Sequence, residues 1–395
     1  MTEFNLRLKA SVEANKFRYG YPWIYSNEII SDRRTKSLLP GSFCKLVDYN
    51  KNPICLVTVN PKSKIFARVM DYNLETTVDA YWLKDKISKA LAKRKEIFRD
   101  PFYRLVNAEA DELPGLIVDR FDNVIVMQPN AFWAENMSEI IANSIKEVCS
   151  IDVVIKNASG RSRRLEGLDD KNSVFFGDLP EAAISVPMNG AIYKADVHEG
   201  QKTGLFYDQR QNHKFVASLA NGKTVLDVFC HVGGFGLAAI AAGASKVSFV
   251  DSSANALDLV REGASEMMAS SKMNIIRGDA FSVLRKLLES DNSYDIVICD
   301  PPAFVTSRKS LNSGLRAYEK MAKLGSSLVR ENGILVLCSC SQLADLIKFR
   351  NACVRGIGRA GRRAQLIHTG FAAADHPIHL QLLDNSYLKS LVFRL

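Results

Sequence analysis

The chain of 395 residues is 47% hydrophobic and 24% charged, which is ordinary for a globular protein, and its length predicts two or three domains. No apolar run reaches the roughly 18 residues of a membrane span, and the N-terminus lacks the apolar core of a signal peptide, so we expect a cytoplasmic protein. The formal net charge of +9 favours polyanionic partners such as nucleic acid, although a basic protein without such a partner could carry the same charge.

Two segments precede the main predicted domain. Residues 1–78 contain β-rich runs broken by Pro, Gly and Asn, which predict a small β-barrel module. A helix with apolar residues at helical spacing follows in WLKDKISKALAKRKEIFR and opens residues 79–185. The rest of that segment mixes strand-like and helical runs, which predicts a small α+β domain without an evident catalytic cluster.

Residues 186–395 change to an alternation of strands and helices. Their short apolar runs are typical of strands that are buried on both faces of a parallel sheet. Together with the helical segments between them, these runs predict an α/β, doubly wound, Rossmann-like domain. The strand-like runs are VLDVF, VSFVD, MNIIRGD, YDIVICD, GILVLCSCS and SYLKSLVFRL.

A cofactor site is predicted where these strands end, because doubly wound sheets bind ligands outside the carboxyl ends of their strands. The first strand ends in a turn with Gly233 and Gly234, and the next three end in Asp251, Asp279 and Asp300. The amino group, sulfonium and ribose hydroxyls of S-adenosylmethionine suit carboxylate acceptors, whereas an NAD site would need a GxGxxG turn around a pyrophosphate. Helix capping is the alternative role for each aspartate.

The fifth strand ends in LCSCSQ, residues 337–342, which contains the candidate nucleophile. Carbon 5 of cytosine attacks a sulfonium methyl only after a thiolate has added to carbon 6, and a cysteine next to the methyl donor supplies that thiolate. Cys340 lies nearer the carboxyl end of the strand than Cys338, which we interpret as a core thiol. A buried core thiol is also the alternative for Cys340.

The loop DPPAF, residues 300–304, is predicted to receive a flat base, because two prolines fix its backbone and Asp300 can hydrogen-bond a cytosine ring. Arg308 and Lys309 in the following loop, and the cluster of Arg161, Arg163 and Arg164, could meet phosphates or form solvated surface.

The eight cysteines form no CxxC pair, and the two histidines of HPIH lack a third ligand. We therefore expect reduced thiols and no metal.

The order of these motifs resembles the bacterial large-subunit ribosomal RNA cytosine-5 methyltransferases that carry an N-terminal PUA domain, and the resemblance covers nearly the whole chain. Its matching stretches are GYPWIYSNEI, RLVNAEADELPGLIVDRF, RRLEGL, GQKTGLFYDQRQNH, VGGFGLAAIAAGASKVSFVDSS, DPPAF, SCS and AADHP. The resemblance implies a class I methyltransferase domain over residues 186–395, a PUA-like RNA-binding domain over residues 1–78, and a central domain over residues 79–185. Large-subunit ribosomal RNA would be the partner, without membrane or metal, and a homodimer is left open.

The resemblance also implies roles for single residues. Cys340 would be the nucleophile, with Asp300 as its catalytic partner. The cofactor would be S-adenosylmethionine, bound by Phe206, Asp208, Arg210, Asp227, Phe229, His231, Gly233, Asp251, Ser252, Asp279, Ala280 and Asp300. Gln201, Lys202 and Thr203 lie on the same signature, which lines the methionine side of the cofactor or the base pocket unless it is a plain hairpin.

Three departures accompany the resemblance. The glycines of the class I DxGxGxG pattern are replaced by Phe229 and His231, and His231-Val232 stands where the family often has Tyr-Thr. Ala303 follows DPP where the family often has Lys and another cytosine-5 group has a second cysteine, so we expect a single-cysteine enzyme. A uracil-5 methyltransferase, a guanine N-methyltransferase and a non-catalytic RNA-binding protein remain the alternatives.

Overall fold

The computed structural model describes residues 4–197 and 204–395, which form two compact units. The first unit contains the described residues up to 181 together with 375–383, and the second contains the remaining described residues. Among the described residues, no helix is both long enough and apolar enough to cross a bilayer.

The N-terminal part of the first unit is a five-stranded sheet with the strand order β1-β3-β4-β5-β2. Its β-rich runs become strands because apolar residues such as Leu46, Val57 and Phe66 are buried beneath it. The strands are β1 (Asn5–Arg7), β2 (Trp23–Tyr25), β3 (Phe43–Val47), β4 (Pro53–Val59) and β5 (Ile65–Asp71), with two short helices, α1 (Asn15–Arg18) and α2 (Arg33–Lys36).

The second sheet of this unit has the strand order β10-β9-β8-β7-β6. It consists of β6 (Phe102–Asn107), β7 (Leu116–Phe121), β8 (Val124–Pro129), β9 (Val153–Lys156) and β10 (Ser173–Phe176). The helices of this region are α3 (Ala80–Ile97), α4 (Phe132–Asn136), α5 (Ser138–Cys149) and α6 (Arg161–Glu166). α3 and α5 contribute to one apolar core with the strands, which includes Leu83, Trp133 and Ile141.

The first unit contains buried ion pairs. Arg94 donates two hydrogen bonds to Asp111, of 2.7 and 2.6 Å, and both side chains are almost completely buried. Arg163 is also buried and donates to Glu135 at 2.7 Å. Of the predicted basic cluster in α6, Arg163 is therefore a structural residue, because its guanidinium is inaccessible to a phosphate.

The second unit opens with a hairpin of β11 (Ile184–Met188) and β12 (Ala191–Ala195), which the sequence pattern did not single out. Its main sheet contains β13 (Thr224–Val228), β14 (Lys246–Asp251), β15 (Met273–Arg277), β16 (Tyr294–Cys299), β17 (Val329–Ser339), β18 (Gln365–Gly370) and β19 (Lys389–Arg394). The helices are α7 (Arg210–Ala217), α8 (Gly234–Ala241), α9 (Ala254–Glu266), α10 (Ala280–Glu289), α11 (Leu311–Leu328) and α12 (Leu346–Arg359).

The main sheet has the strand order β15-β14-β13-β16-β17-β19-β18. Its first five strands are parallel, whereas β19 inserts antiparallel between β17 and β18. This order confirms the predicted doubly wound, Rossmann-like α/β domain. The direction of winding reverses between β13 and β16, so the loops that follow these two strands flank the crevice where such sheets bind ligands.

Candidate active site

The turn after β13 adopts the backbone conformation that glycines usually supply. Phe229, His231 and Gly233 have φ values of +62°, +49° and +84°. For side chains other than glycine this left-handed region costs roughly 1–2 kcal/mol per residue, so the first two positions are strained. Asp251 accepts a hydrogen bond from the His231 backbone N–H at 2.9 Å, and the Phe206 ring lies 5.0 Å from the His231 ring. The sequence lacks two glycines of the DxGxGxG pattern, but the turn keeps the left-handed backbone conformation at their positions.

Two buried carboxylates near this turn each have an oxygen without a hydrogen-bond partner among the described residues. Asp227 accepts from the Gly236 N–H at 2.8 Å through Oδ2, while its Oδ1 has no partner. Asp208 accepts from the Tyr387 hydroxyl at 2.5 Å through Oδ2, and its Oδ1 likewise has none. Buried carboxylate oxygens are costly without a donor. A ligand ammonium group, such as the amino group of S-adenosylmethionine, would supply one.

Burial also changes the acidity of Asp227. It raises the pKa of this carboxyl to about 7, and the negative charge of Asp251 acts in the same direction. Asp227 therefore titrates near neutral pH. A cation bound at this position would favour the ionised carboxylate.

The other strand-end aspartates lie nearer the surface. Asp251 accepts from the Ser253 N–H at 2.9 Å in addition to His231, so part of its role is to hold the turn. Asp279 is exposed and caps α10 by accepting from the Ser282 N–H at 2.9 Å. Asp279 thus has the helix-capping geometry that is the alternative to cofactor binding, and cofactor binding by Asp251 and Asp279 stays a prediction.

Asp300 is held by Gln209, which precedes α7, and Gln209 is held in turn by Asn212 in the first turn of α7. Gln209 donates from Nε2 to Asp300 Oδ2 at 2.9 Å, and Asn212 donates to Gln209 Oε1 at 2.6 Å. Gln209 and Asn212 are both buried. Sequence reasoning did not select either residue, although both lie in the GQKTGLFYDQRQNH signature. Gln201, Lys202 and Thr203 of the same signature lie outside the described residues.

Cys340 follows the last residue of β17, and its Sγ lies 3.8 Å from the carbonyl oxygen of Pro301 in the DPPAF loop. The two motifs that the sequence singled out for chemistry are therefore in contact. All eight cysteines lie among the described residues and none of them is in a disulfide; Cys340 is partly exposed, whereas the other seven are buried. Cys338 is fully buried and hydrogen-bonds Ser390 at 3.4 Å, and burial raises its pKa well above that of a free thiol. Exposure distinguishes the two thiols.

A buried hydroxyl network fixes the backbone on both sides of Cys340. Ser339 Oγ donates to the Tyr318 hydroxyl at 2.9 Å, and the Tyr318 and Ser341 hydroxyls are 2.8 Å apart. Ser341 Oγ also accepts from the Val305 N–H of the DPPAF loop at 3.0 Å. The serines of SCS thus connect the cysteine to α11 and to the loop after β16. Sequence reasoning missed Tyr318, which has no local signal in helix α11.

The remaining candidates give no metal site. His376 is buried and its Nδ1 lies 3.0 Å from Asp375 Oδ1. Within residues 4–197 and 204–395, no group of three or more His, Cys, Asp or Glu side chains is arranged to hold a metal ion. Arg308 and Lys309 are exposed, so their accessibility is compatible with either of their two proposed roles.

Comparison with known proteins places two family domains on the chain. Residues 166–345 match the model of S-adenosylmethionine-dependent methyltransferases, and residues 6–72 match a PUA-like domain. The "Ribosomal RNA large subunit methyltransferase I" of Aeromonas hydrophila is 31% identical over 379 residues, with 95% of each chain covered. The "Ribosomal RNA large subunit methyltransferase" of Deinococcus radiodurans is 32% identical over 404 residues, covering 99% of this chain and 97% of the relative.

Two solved structures share the fold over nearly the whole chain. One is described as a SAM-dependent methyltransferase from Streptococcus mutans, with a TM-score of 0.83 at 18% identity, covering 99% of this chain and 100% of that one. Another is a methyltransferase described as complexed with SAH, with a TM-score of 0.84 at 18% identity and complete coverage of both chains. At these identities the likeness concerns the fold.

Proposed function

Since this chain belongs to the family of S-adenosylmethionine-dependent ribosomal RNA large subunit methyltransferases with a PUA-like domain, we propose that it methylates carbon 5 of a cytosine in that RNA through a covalent Cys340 adduct. The observation that carries the proposal is the partly exposed Cys340 thiol, which lies against the Pro301 carbonyl at the carboxyl edge of the sheet. An N-methyltransferase would have no use for a nucleophile at this position.

Residues on both sides of the crevice suit S-adenosylmethionine, which supplies the electrophilic methyl group when it is bound. The Oδ1 atoms of Asp208 and Asp227, which have no hydrogen-bond partner among the described residues, would accept from its amino group. Phe206, Arg210 and the strained turn that includes Phe229, His231 and Gly233 line the same region in this proposal. The ribose and adenine sides of the cofactor are assigned to the residues that follow two successive strands. These residues are Asp251 with Ser252 after β14, and Asp279 with Ala280 after β15.

The reaction proceeds in four steps. The Cys340 thiolate adds to carbon 6 of cytosine, and Asp300 stabilises the adduct by hydrogen bonding to the ring edge. The addition makes carbon 5 nucleophilic, and bound S-adenosylmethionine would supply the methyl group, with its methyl–sulfur bond breaking as the bond to carbon 5 forms. A base then removes the proton from carbon 5. The electron pair of that C–H bond restores the ring double bond as the Cys340 thiolate leaves carbon 6.

Asp300 can perform its role only if its carboxylate is oriented toward the base. Gln209 and Asn212 supply this orientation, because their buried amides hold one carboxylate oxygen in place. The prolines after Asp300 restrict the backbone on its other side.

We assign RNA binding to residues 1–78, with the PUA-like domain, and place the enzyme in the cytoplasm, where its RNA substrate is made.

A trapping experiment tests the reaction. RNA that contains 5-fluorocytosine has no carbon-5 proton to remove, so the adduct should accumulate after methylation as a covalent protein–RNA complex. We expect the complex with the full chain and its loss in Cys340→Ala, whereas Cys338→Ala, two residues earlier on the same strand, should retain it. Mass mapping of ribosomal RNA from cells with and without the gene then identifies the methylated atom.

The alternatives predict different outcomes. Methylation of RNA by Cys340→Ala would contradict the proposal and favour a guanine N-methyltransferase. A trapped adduct with 5-fluorouracil but not with 5-fluorocytosine would favour a uracil-5 enzyme. Absence of S-adenosylmethionine binding to the purified chain would favour a non-catalytic RNA-binding protein.

A further inference from the structure

A buried lysine lies behind the candidate nucleophile. Lys389 is the first residue of β19, where it pairs in register with Ser339 of β17. Its side chain is buried, and Nζ donates to the carbonyl oxygens of Ser341 at 2.9 Å and Ala344 at 2.8 Å. The lysine therefore binds the backbone of the loop that begins at Cys340.

No carboxylate lies within ion-pair distance of Lys389 in the part of the chain that the structure describes, where Nζ binds only the two carbonyl groups. Burial of a cation that lacks a counter-ion costs free energy, so a neutral residue would be the better choice for stability alone. Burial lowers the pKa of Lys389 to about 8, while the charges of Cys340 and Asp345 act in the opposite direction. The ammonium group is thus still mainly protonated at pH 7, and its charge interacts with that of Cys340 when this thiol is ionised.

We propose that Lys389 is a positioning residue for the methyl transfer, which holds the loop after Cys340 and stabilises the thiolate form of this cysteine. The inference rests on the proposed function, because it concerns the nucleophile of that reaction. A positive charge near a thiol favours its ionised, nucleophilic form. The buried lysine then lowers stability but makes the thiol more reactive, as is common for residues at functional sites.

The other titratable groups near Cys340 do not supply this charge. Tyr318 of α11 interacts electrostatically with Cys340, but its pKa is raised to about 12 by burial and its hydroxyl stays neutral. Asp300, next to Pro301 in the loop after β16, carries a negative charge when ionised, which disfavours a thiolate. Cys338 of β17 is buried and stays protonated, because its pKa is well above that of a free thiol.

The pH profile of Cys340 alkylation tests the proposal in the full chain without RNA. Iodoacetamide modification of Cys340, followed by peptide mass spectrometry between pH 6 and 10, reports the thiolate fraction. We expect Lys389→Met to shift the profile upward by about 1 to 2 pH units and to slow alkylation at pH 7 by about tenfold or more. Lys194→Met is the matched control, since the ammonium group of Lys194 binds Ser185 and Glu266 and not the carbonyl groups that Lys389 binds.

Lys389→Gln separates charge from hydrogen bonding, because the amide still donates to carbonyl groups but is neutral. If the charge acts on Cys340, this variant shifts the alkylation profile as Lys389→Met does. If both variants keep the profile of the protein without a substitution at Lys389, the proposal is overturned. Should Lys389→Met fail to fold, Lys389→Gln decides alone. This test and the test of the proposed function can fail independently. Methylation by Cys340→Ala would refute the proposed reaction, whereas the alkylation profile would still measure the effect of Lys389 on the Cys340 thiol.

Discussion

Asp227 combines the features of a ligand-binding carboxylate at the scale of a single residue. It is buried, one of its oxygens has no partner among the described residues, and its pKa is raised to about 7. A carboxyl whose pKa is raised in the folded state disfavours folding as the pH rises from about 4 to 7, since the folded chain holds its proton longer than the unfolded one. Asp227 is thus retained at a cost to stability.

Binding of the product S-adenosylhomocysteine should depend on pH through this carboxylate. Its amino group requires ionised Asp227, so we expect the affinity to rise by up to about tenfold per pH unit between pH 5.5 and 7 and then to level off. Isothermal titration calorimetry measures this profile. Asp227→Asn should bind more weakly with a flat profile, yet should be more stable than the parent at pH 8. An unchanged profile in Asp227→Asn would exclude this carboxylate as the titrating group.

The packing of helix α12 against helix α11 helps to position residues 340–345, the loop that contains Cys340 and connects β17 to α12. A Cβ added at Gly356 of α12 would lie 2.3 Å from the backbone oxygen of Glu319 and 2.6 Å from the Cβ of Ala322, both in α11. The absence of a side chain therefore sets the close approach of the two helices. Tyr318, which hydrogen-bonds both serines beside Cys340, belongs to the same face of α11.

Gly356→Ala should destabilise the second unit by about 1–3 kcal/mol, because the backbone of α11 cannot move aside cheaply. Gly358→Ala is the control in the same helix, where an added Cβ meets nothing within 4 Å. Alanine there should stabilise by up to about 1 kcal/mol through its higher helix propensity. Urea unfolding of both variants measures the difference, and equal stabilities would contradict the packing argument.

The whole molecule carries a formal net charge of +9, which matters for binding rather than for the fold. A protein that neutralises phosphates releases counterions, so its affinity for RNA falls with salt. Not every basic residue contributes, because Arg94 and Arg163 are buried in ion pairs. The charge available to RNA is therefore smaller than the number of basic residues implies.

We expect RNA affinity to fall by about tenfold or more between 50 and 200 mM KCl, the loss given by two or three phosphate contacts. Binding of S-adenosylhomocysteine, which has no phosphate, should change little over the same range and serves as the internal control. Filter binding and calorimetry on the full chain provide the two measurements. Equal salt dependence of both ligands would speak against phosphate contacts.

The alternation of apolar runs was sufficient to predict the doubly wound domain, because strands buried on both faces require continuous apolar sequence. The motif order likewise predicted the S-adenosylmethionine-dependent methyltransferase family and its PUA-like domain. Cys340 was predicted at a strand end next to the DPPAF loop, and the two are in contact. Its role as the nucleophile, and those of the cofactor residues, stay predictions.

Only the tertiary structure revealed what surrounds these residues. Gln209, Tyr318 and Lys389 lie 131, 22 and 49 positions from Cys340, and no local pattern marks a residue whose partner is distant in sequence. The left-handed conformation of Phe229 and His231 was also not evident from these residue types, because glycine normally signals it, although both residues occupy glycine positions of the DxGxGxG pattern. Local sequence determines which elements form, whereas burial and long-range hydrogen bonds decide which of their side chains are available for chemistry.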